Sequence, residues 1–308
     1  MTHSPSRRVL NLLLIAALPQ EAGALRSRTG AWHRLRAAPC NSWRRESEGR
    51  NLFLIQAGMG NHRLAEVFDW AVSRRRIDLM ISFGFGGGLT PTLQVGDVCL
   101  CDRFCRWDGG SRSIEPGGFT TPLGFWTESL GDRLSWTHCI DVTTAGLAPK
   151  RELARGLTPL ILRSQALVDM ESFTLARLAR EASIPFLTLR SISDTLDQEI
   201  DFDLSLISDD QGSLETRRIA LAVLHRPGLA LTMAGLWHHS RRAAATLGRA
   251  VASLVDLPYR ELQAITENGP AKEWDVPADM GREADFEGDG LRQAPEDQAP
   301  SEGSGAGG

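Results

Sequence analysis

Hydrophobic and polar positions over residues 166–197 predict two strands joined by a helix. The apolar run Ala166–Met170 has the composition of a strand end. From Glu171 to Glu181 apolar residues recur at approximately helical spacing, and Pro185 then stops the helix and begins a second apolar run. A strand–helix–strand unit of this length predicts two parallel strands with a right-handed crossover.

Each of these predicted strands ends in carboxylates. Asp169 and Glu171 follow the first strand, and Asp194 follows the second. The carboxyl ends of parallel strands share one edge of an open α/β sheet, where ligand crevices form, so we expect these acids to converge. Spacing alone leaves local roles open as well, since Glu171 suits the first turn of a helix and Asp194 suits a turn or a cap.

The first third of the chain holds further predicted strands. Residues 51–60 read as a strand that ends in a glycine turn, with Asn61 placed to cap the helix that follows. Ile77–Phe83 form another strand and lead into the glycine-rich run Gly84–Gly88, which predicts a tight turn. That run has neither the spacing of a dinucleotide-binding fingerprint nor the lysine of a P-loop.

The N-terminal apolar run has two interpretations. Arg7 and Arg8 precede the apolar residues 9–18, as in a signal peptide. The same run equally predicts the buried first strand of a parallel sheet. No stretch reaches the roughly 18 apolar residues that a membrane-spanning helix needs.

Composition limits the number of domains and the cellular compartment but does not indicate a function. A chain of 308 residues with 42% hydrophobic residues can form one large domain or two small ones. The five cysteines fit neither a disulfide framework nor a zinc spacing, which favours reduced thiols and a cytoplasmic protein. They are Cys40, Cys99, Cys101, Cys105 and Cys139.

The last third of the chain changes in character. Residues 213–256 predict a helical extension with two apolar stripes, divided at Arg226–Gly228, and its arginines favour a core-packing helix pair with a solvated basic face. Residues 266–308 contain eleven acidic and three basic residues and are rich in glycine and proline. This composition predicts a disordered acidic tail.

Four motifs in order resemble those of the purine nucleoside phosphorylase superfamily, most closely its hydrolytic branch, the 5′-methylthioadenosine/S-adenosylhomocysteine nucleosidases. The motifs are NLLLIAALPQEAGAL, LIQAGMGNHRLA, ISFGFGGGLTPTLQVGDV and the pair VDMES and LRSISDTLD. The resemblance implies an α/β, three-layer nucleoside phosphorylase-like fold, with a mixed twisted central sheet flanked by helices, over a catalytic domain at residues 9–265. It also implies a homo-oligomer, with a dimer as the simplest form, and no nucleic-acid partner.

The resemblance also implies a reaction, cleavage of the bond between a purine and a ribose. Asp194 corresponds to the acid that protonates N7 of the base, and it needs a raised pKa, which burial can supply. Glu21 corresponds to the residue that orients the attacking water. No metal or organic cofactor is implied.

Five further residues correspond to substrate-binding positions. Glu171 would hold the ribose hydroxyls, and Met170 would pack on the sugar face. Gly87 lies in the run that brings backbone close to the ribose and the water. Ser193 and Arg190 would fix Asp194.

Two rival activities are weighed against hydrolysis. Phosphorylases of this superfamily commonly bind phosphate through an arginine and a hydroxyl residue, at positions that here hold Ser82 and Phe85. Phe85 offers phosphate no hydrogen bond and nothing nearby in sequence replaces the arginine's charge, so hydrolysis is favoured. A non-catalytic adenosine-binding module is the other rival, but a binder has no need of a proton donor at the leaving group.

The substrate is less defined than the reaction. Residues 143–148 lack the aromatic residue that nucleosidases stack against the base. The glycine run and the basic extension look most like the hopanoid-associated phosphorylase-like proteins, whose proposed reaction removes adenine from adenosylhopane. This implies peripheral membrane contact through residues 213–256, where arginines would attract anionic headgroups and apolar residues would enter the interface. The apolar residues are Leu229, Leu231, Met233, Leu236 and Trp237.

Overall fold

A computed structural model describes residues 8–107, 118–120, 137–145, 149–156, 164–198, 229–267 and 272–274. The strands in these residues are β1 (Leu10–Ala16), β2 (His33–Arg34), β3 (Asn41–Ser47), β4 (Arg50–Gln56), β5 (Leu79–Gly88), β6 (Val98–Trp107), β7 (Gly118–Thr120), β8 (Thr137–Thr144), β9 (Gln165–Asp169), β10 (Phe186–Asp194) and β11 (Lys272–Trp274). The helices are α1 (Pro19–Arg26), α2 (Leu64–Val72), α3 (Lys150–Gly156), α4 (Ser172–Glu181), α5 (Leu229–Val255) and α6 (Tyr259–Glu267).

The N-terminal apolar run is a central strand. β1 pairs in parallel with β4 on one side and with β5 on the other. Leu12 and Leu14 face one core cluster, and Leu13 and Ile15 face the other. A strand covered on both faces needs apolar side chains at every position. The interpretation of this run as a buried first strand is therefore confirmed.

Helices cover both faces of the sheet. Residues of α1, α5 and α6 share a core with one face of β1, β4 and β5. Residues of α2 and α4 share a second core with the opposite face. The predicted three-layer α/β fold with a mixed central sheet is confirmed.

Five of the strands form a closed ring. β5 pairs with β9, β9 with β8, β8 with β6, β6 with β10, and β10 again with β5. The pairs β5–β9 and β6–β10 are antiparallel, and the other three are parallel. The ring brings the ends of β5, β9 and β10 close together.

The predicted parallel crossover between β9 and β10 is wrong. β10 runs parallel to β5, whereas β9 runs antiparallel to it, so the two strands point in opposite directions. They are also not neighbours, because β5 lies between them on one side of the ring and β6 and β8 lie between them on the other. The predicted elements themselves are confirmed, with α4 at Ser172–Glu181.

Two local predictions in the first third of the chain are also wrong. Helix α2 begins at Leu64, its N-cap residue is Arg63, and no side chain caps it, so Asn61 does not have the predicted role. The run Gly84–Gly88 is not a turn but the second half of β5. Neighbouring side chains occupy the space that Cβ atoms would need along this half of the strand. Glycine is therefore found within the strand rather than in a turn.

The C-terminal part of the chain belongs to the core. In α5, Ala243, Leu247, Val251 and Leu254 are fully buried against the sheet, while the arginines at 241, 242 and 249 are exposed. Residues 213–228, the first half of the predicted helix pair, lie outside the described residues.

The predicted disorder from residue 266 is wrong at Lys272–Trp274, which pairs with Gly118–Thr120 as an antiparallel strand. The backbone hydrogen bonds of this pairing supply order that the acidic composition did not predict. Residues 275–308 lie outside the described part of the chain.

The described residues contain no helix long and apolar enough to cross a membrane. All five cysteines are free, and the four on β6 and β8 are buried.

Candidate active site

The carboxylate of Asp194 lies at the end of β10, opposite Gly87 of β5. It is 7% exposed and accepts hydrogen bonds at both oxygens. Ser193 Oγ donates to Oδ1 at 2.6 Å, and Lys150 Nζ donates to Oδ2 at 2.5 Å. Ser193 therefore lies where the sequence predicted, in contact with Asp194.

Lys150 is the site residue that sequence reasoning missed. It is the first residue of α3, it is 5% exposed, and its ammonium also donates to the carbonyl oxygen of Thr195. A signal for it existed: only Lys150 and Lys272 among the 34 basic residues are lysines. Because lysine and arginine are not interchangeable, each lysine in an arginine-rich chain is a candidate for a specific role.

Gly87 makes room for this ion pair. A Cβ atom at Gly87 would lie 3.1 Å from Asp194 Oδ2 and 3.2 Å from Cδ of Lys150. Both distances are shorter than ordinary van der Waals contact, so a side chain there would push the pair apart. The backbone at Gly87 comes close to the side chains of Asp194 and Lys150.

Glu21 lies in the first turn of α1 and points across the end of β5. Its Oε2 accepts hydrogen bonds from the backbone N–H groups of Ala17 and Leu18 at 2.9 and 2.8 Å, and its Oε1 accepts one from Phe85 at 2.7 Å. Burial raises the pKa of Glu21, although these N–H groups and the charge of Arg190 act in the opposite direction.

Gly84 is needed for this arrangement of Glu21. A Cβ atom at Gly84 would lie 2.8 Å from Oε1 of Glu21, which is closer than non-bonded atoms approach. The glycine-rich half of β5 thus accommodates Glu21 at one end and Asp194 at the other.

Glu171 is the N-cap residue of α4 and lies beside Glu21. Its Oε1 accepts a hydrogen bond from the N–H of Gly60 at 2.7 Å. Burial, together with the negative charge of Asp169, raises the pKa of Glu171 to about 8, against the lowering effects of Arg190 and the Gly60 N–H. The raised pKa favours the protonated form of Glu171, which can donate a hydrogen bond as well as accept one.

Glu21 and Glu171 face a cavity of about 10 Å³ that Arg190 and Ser82 also line. This volume corresponds to roughly one water-sized probe and is bordered by several polar groups, which suits a single water molecule.

Arg190 is not where the sequence predicted. Its guanidinium donates to Asp169 at 2.6 and 3.0 Å, to Ser172 at 2.7 Å and to Ser82 at 2.9 Å, rather than to Asp194. Arg190 lies deeper, level with Gly84, and a register shift between Ile192 and Asp194 interrupts the alternation of side chains along β10. The prediction that Arg190 fixes Asp194 is wrong.

The charge of Arg190 is balanced within the core. Asp169 and Asp141 both lie within 4.0 Å of the guanidinium. The pKa of Asp169 is lowered because the charge of Arg190 and several hydrogen bonds outweigh its burial, whereas burial and the neighbouring Asp169 charge raise the pKa of Asp141. A buried cation with two acidic neighbours has little charge left to attract a phosphate.

Ser82 is hydrogen-bonded to Arg190, which corrects the expectation that nothing nearby replaces an arginine's charge at this position. The guanidinium comes from β10, the strand next to β5, and is committed to Asp169. Phe85 contributes its backbone N–H to Glu21 and packs its side chain against the core.

Met170 is half-buried beside Gly60. Its Cε would lie 3.7 Å from a Cβ atom at Gly60, the residue that donates to Glu171. Met170 and Glu171 thus border the same turn, as the predicted sugar-binding pair requires.

The segment predicted to lack a stacking aromatic is described only in part. Thr143 Oγ1 donates to Asp169 at 2.7 Å, while residues 146–148 lie outside the described part. Among the described residues, no group of three or more His, Cys, Asp or Glu side chains could hold a metal ion.

The chain is similar in sequence to known proteins. Residues 11–225 match the sequence model of the Phosphorylase superfamily. A 5′-methylthioadenosine/S-adenosylhomocysteine nucleosidase from Tolumonas auensis is 25% identical over 202 residues, which cover 59% of this chain and 84% of that protein.

Solved structures share the fold at low sequence identity. The futalosine hydrolase of Helicobacter pylori superposes with a TM-score of 0.61 at 12% identity, covering 80% of this chain and 98% of the other. The 5′-methylthioadenosine/S-adenosylhomocysteine nucleosidase of Neisseria meningitidis, in complex with methylthio-immucillin-A, has a TM-score of 0.57 at 18% identity and covers 80% of this chain and 99% of its own.

Proposed function

Because this chain belongs to the Phosphorylase superfamily, we propose that it is an N-glycosidase that releases adenine from a 5′-substituted adenosine by hydrolysis. The observation that carries the proposal is the placing of three acids around the end of β5. Glu21 and Glu171 line a water-sized cavity, and Asp194 lies across Gly87 from Lys150.

Departure of the base requires a proton on the purine ring, since the bond electrons otherwise leave on an unstable anion. Asp194 is the residue that delivers this proton to N7, and Ser193 holds its carboxyl group in place. Loss of the base leaves positive charge on the ribose, which the neighbouring carboxyl groups stabilise.

Water attacks from the other side of the ribose. Glu21 orients the water in the cavity, since three backbone N–H groups fix its carboxylate. Glu171 binds the ribose hydroxyls, and Met170 packs on the sugar face. Arg190 lines the same cavity and supports the water through Ser82 and Asp169.

Hydrolysis is favoured over phosphorolysis for two reasons. The guanidinium of Arg190 is already paired with Asp169, so its charge is committed within the core. The relatives compared above are themselves named as nucleosidases and a hydrolase.

The test is an assay for free adenine from a panel of adenosine derivatives, in buffer with and without phosphate. We expect equal rates in both buffers and a free ribose derivative as the second product. Ribose 1-phosphate as the main product would restore the phosphorylase alternative. Tight nucleoside binding without any base release would instead favour the non-catalytic binding module.

The substrate that we propose carries a large apolar 5′-substituent, as in adenosylhopane, and is taken from a bilayer surface. Helix α5 supports this, because it runs antiparallel to β10 and past its end. Thr246 of α5 bonds to Ser191 near the end of β10, whereas Val255 bonds to Arg50 at the start of β4. Arg242 still lies against Gly96, which bonds to Ile192 of β10, so the part of α5 before it extends roughly 15 Å beyond the site end of the sheet, at 1.5 Å per residue.

The exposed side chains on this part of α5 suit an anionic membrane surface. Trp237 is 62% exposed, and Arg241 stacks over its ring at 4.6 Å. Arg242 is also exposed. The side chains of the other apolar residues predicted to enter the interface, Leu229, Leu231, Met233 and Leu236, lie outside the described part.

The membrane proposal is tested with liposomes that contain anionic lipid. We expect binding to these liposomes to weaken as salt is added and to be lost in the double variant Trp237→Ser, Arg241→Ser. Release of adenine from adenosylhopane in the same liposomes should fall in that variant as well. Efficient cleavage of methylthioadenosine, without liposome binding or action on the lipid nucleoside, would rule out this substrate. A homodimer with a shared site remains a proposal that a sedimentation measurement tests.

A further inference from the structure

Lys150 is the one residue at the site whose role neither the motifs nor the reaction explains. Its side chain is 6% exposed, and its ammonium bonds to Asp194 Oδ2 and to the carbonyl oxygen of Thr195. Both partners lie at the end of β10, 44 and 45 residues away along the chain. The ammonium is thus held by tertiary structure against the acid that faces the base.

The hydrogen bonds of Asp194 present a difficulty for an acid. Ser193 and Lys150 place donor groups at both of its oxygens. A general acid must hold a proton when the bond to the base breaks. The ammonium of Lys150 is the group in direct contact with Asp194 that can release one.

We propose that Lys150 is a positioning residue that also supplies the proton that Asp194 passes to the departing base; this rests on the proposed function. As the bond between N9 and C1′ breaks, its electron pair moves into the purine. One proton passes from Asp194 to N7, and one passes from Lys150 Nζ to Asp194 Oδ2. Water oxygen bonds to C1′ and gives its proton to Glu21, so Lys150 ends as an amine, Asp194 as a carboxylate and Glu21 as a neutral acid. Return of the proton from Glu21 to Lys150 through solvent restores the site.

The chemistry of lysine distinguishes this role from a fixed ion pair. A guanidinium forms the same ion pair but does not release a proton at any pH a protein tolerates, whereas an ammonium does. The chain uses arginine almost everywhere and has lysine here. An ammonium is thus the basic group in contact with Asp194 that can lose a proton.

The experiment compares Lys150→Ala, Lys150→Gln and the wild type in adenine release from the nucleoside of the panel that the wild type cleaves best. In both variants we expect kcat to fall by about 100-fold or more while KM stays within about threefold, since proton donation acts on the chemical step. Arg151→Met is the matched control, because Arg151 follows directly on α3 with a side chain that is 58% exposed. It should leave both constants unchanged.

Added small cations separate proton supply from charge alone. We expect ethylamine to restore Lys150→Ala activity by at least about tenfold and ethylguanidinium to restore none, because only the amine releases a proton. Equal restoration by both cations, no restoration by either, or full activity of either variant would overturn the inference. Absence of adenine release by the wild type on every nucleoside of the panel would instead remove the proposed function itself, and the inference with it.

Discussion

The two sides of the candidate site hold their carboxyl groups in different ways. Asp194 is bonded to an ammonium and a hydroxyl, Lys150 and Ser193. Glu21 on the other side accepts three hydrogen bonds, all from backbone N–H groups, and Glu171 accepts one from Gly60. One side thus carries a side-chain cation with a removable proton, and the other is held by fixed dipoles.

Because of this difference, one side of the site is suited to accept a proton and the other is suited to donate one. Backbone N–H groups orient a carboxylate but do not give up their protons, so Glu21 is suited to receive a proton from water. Burial raises the pKa of Glu21, which makes it a stronger base than an exposed carboxylate. Asp194 has a proton source in contact and is suited to deliver one.

Removing the deliverable proton should have the largest effect. In Asp194→Asn the amide keeps the shape and the contact to Lys150 but cannot pass a proton to the base, so we expect kcat to fall by about 1,000-fold or more. Adenine release and a thermal melt measure activity and folding separately. Near-normal turnover by a folded variant would show that the acid lies elsewhere.

Displacing the carboxylate on the water side should have a smaller effect. A Cβ atom in Gly84→Ala would lie 2.8 Å from Glu21 Oε1, so the carboxylate must shift away from the cavity. We expect kcat to fall about 10- to 100-fold, because misplacement weakens rather than removes the group. Gly23→Ala is the matched control on α1, since its Cβ would meet nothing within 4 Å. If the two variants lost activity equally, the close approach at Gly84 would have no bearing on the water.

The smallest effect concerns stability and pH. The pKa of Glu171 rises from 4.5 to about 8 on folding, so the folded protein binds more protons than the unfolded chain between these values. The contribution of Glu171 to stability is fully present below about pH 4.5 and is lost as pH rises to about 8.

Glu171→Gln should abolish this part of the pH dependence. Denaturant unfolding of both proteins at pH 5 and pH 8 measures it, and we expect the wild type to lose more stability over this range than the variant. Parallel pH dependence of the two proteins would mean that Glu171 keeps an ordinary pKa in the folded state.

Much of the site could be predicted from the local sequence. Strand ends followed by acids predicted Glu171 and Asp194, and the adjacent Ser193 lies in contact with Asp194 as expected. The elements β9, α4 and β10 could be predicted because their apolar periodicity depends only on residues that are close together in sequence. Their relative direction was not, since the closed ring decides it through pairings with β5, β6 and β8.

The errors share a physical cause. The glycine run of β5 reads locally as a turn, and only the positions of Glu21 and Asp194 beside it explain glycine within a strand. Arg190 is close to Asp194 in sequence, but its long side chain donates hydrogen bonds to Asp169 on another strand.

The sequence by itself determined which residues form strands and helices, and which acids end them, because these properties follow from local hydrophobic pattern and chain chemistry. Tertiary structure alone decided that Lys150 meets Asp194 and that Arg190 meets Asp169, because both contacts join residues that are far apart along the chain. Such contacts depend on ring closure and on the space left by glycines at 84 and 87, neither of which any local pattern encodes.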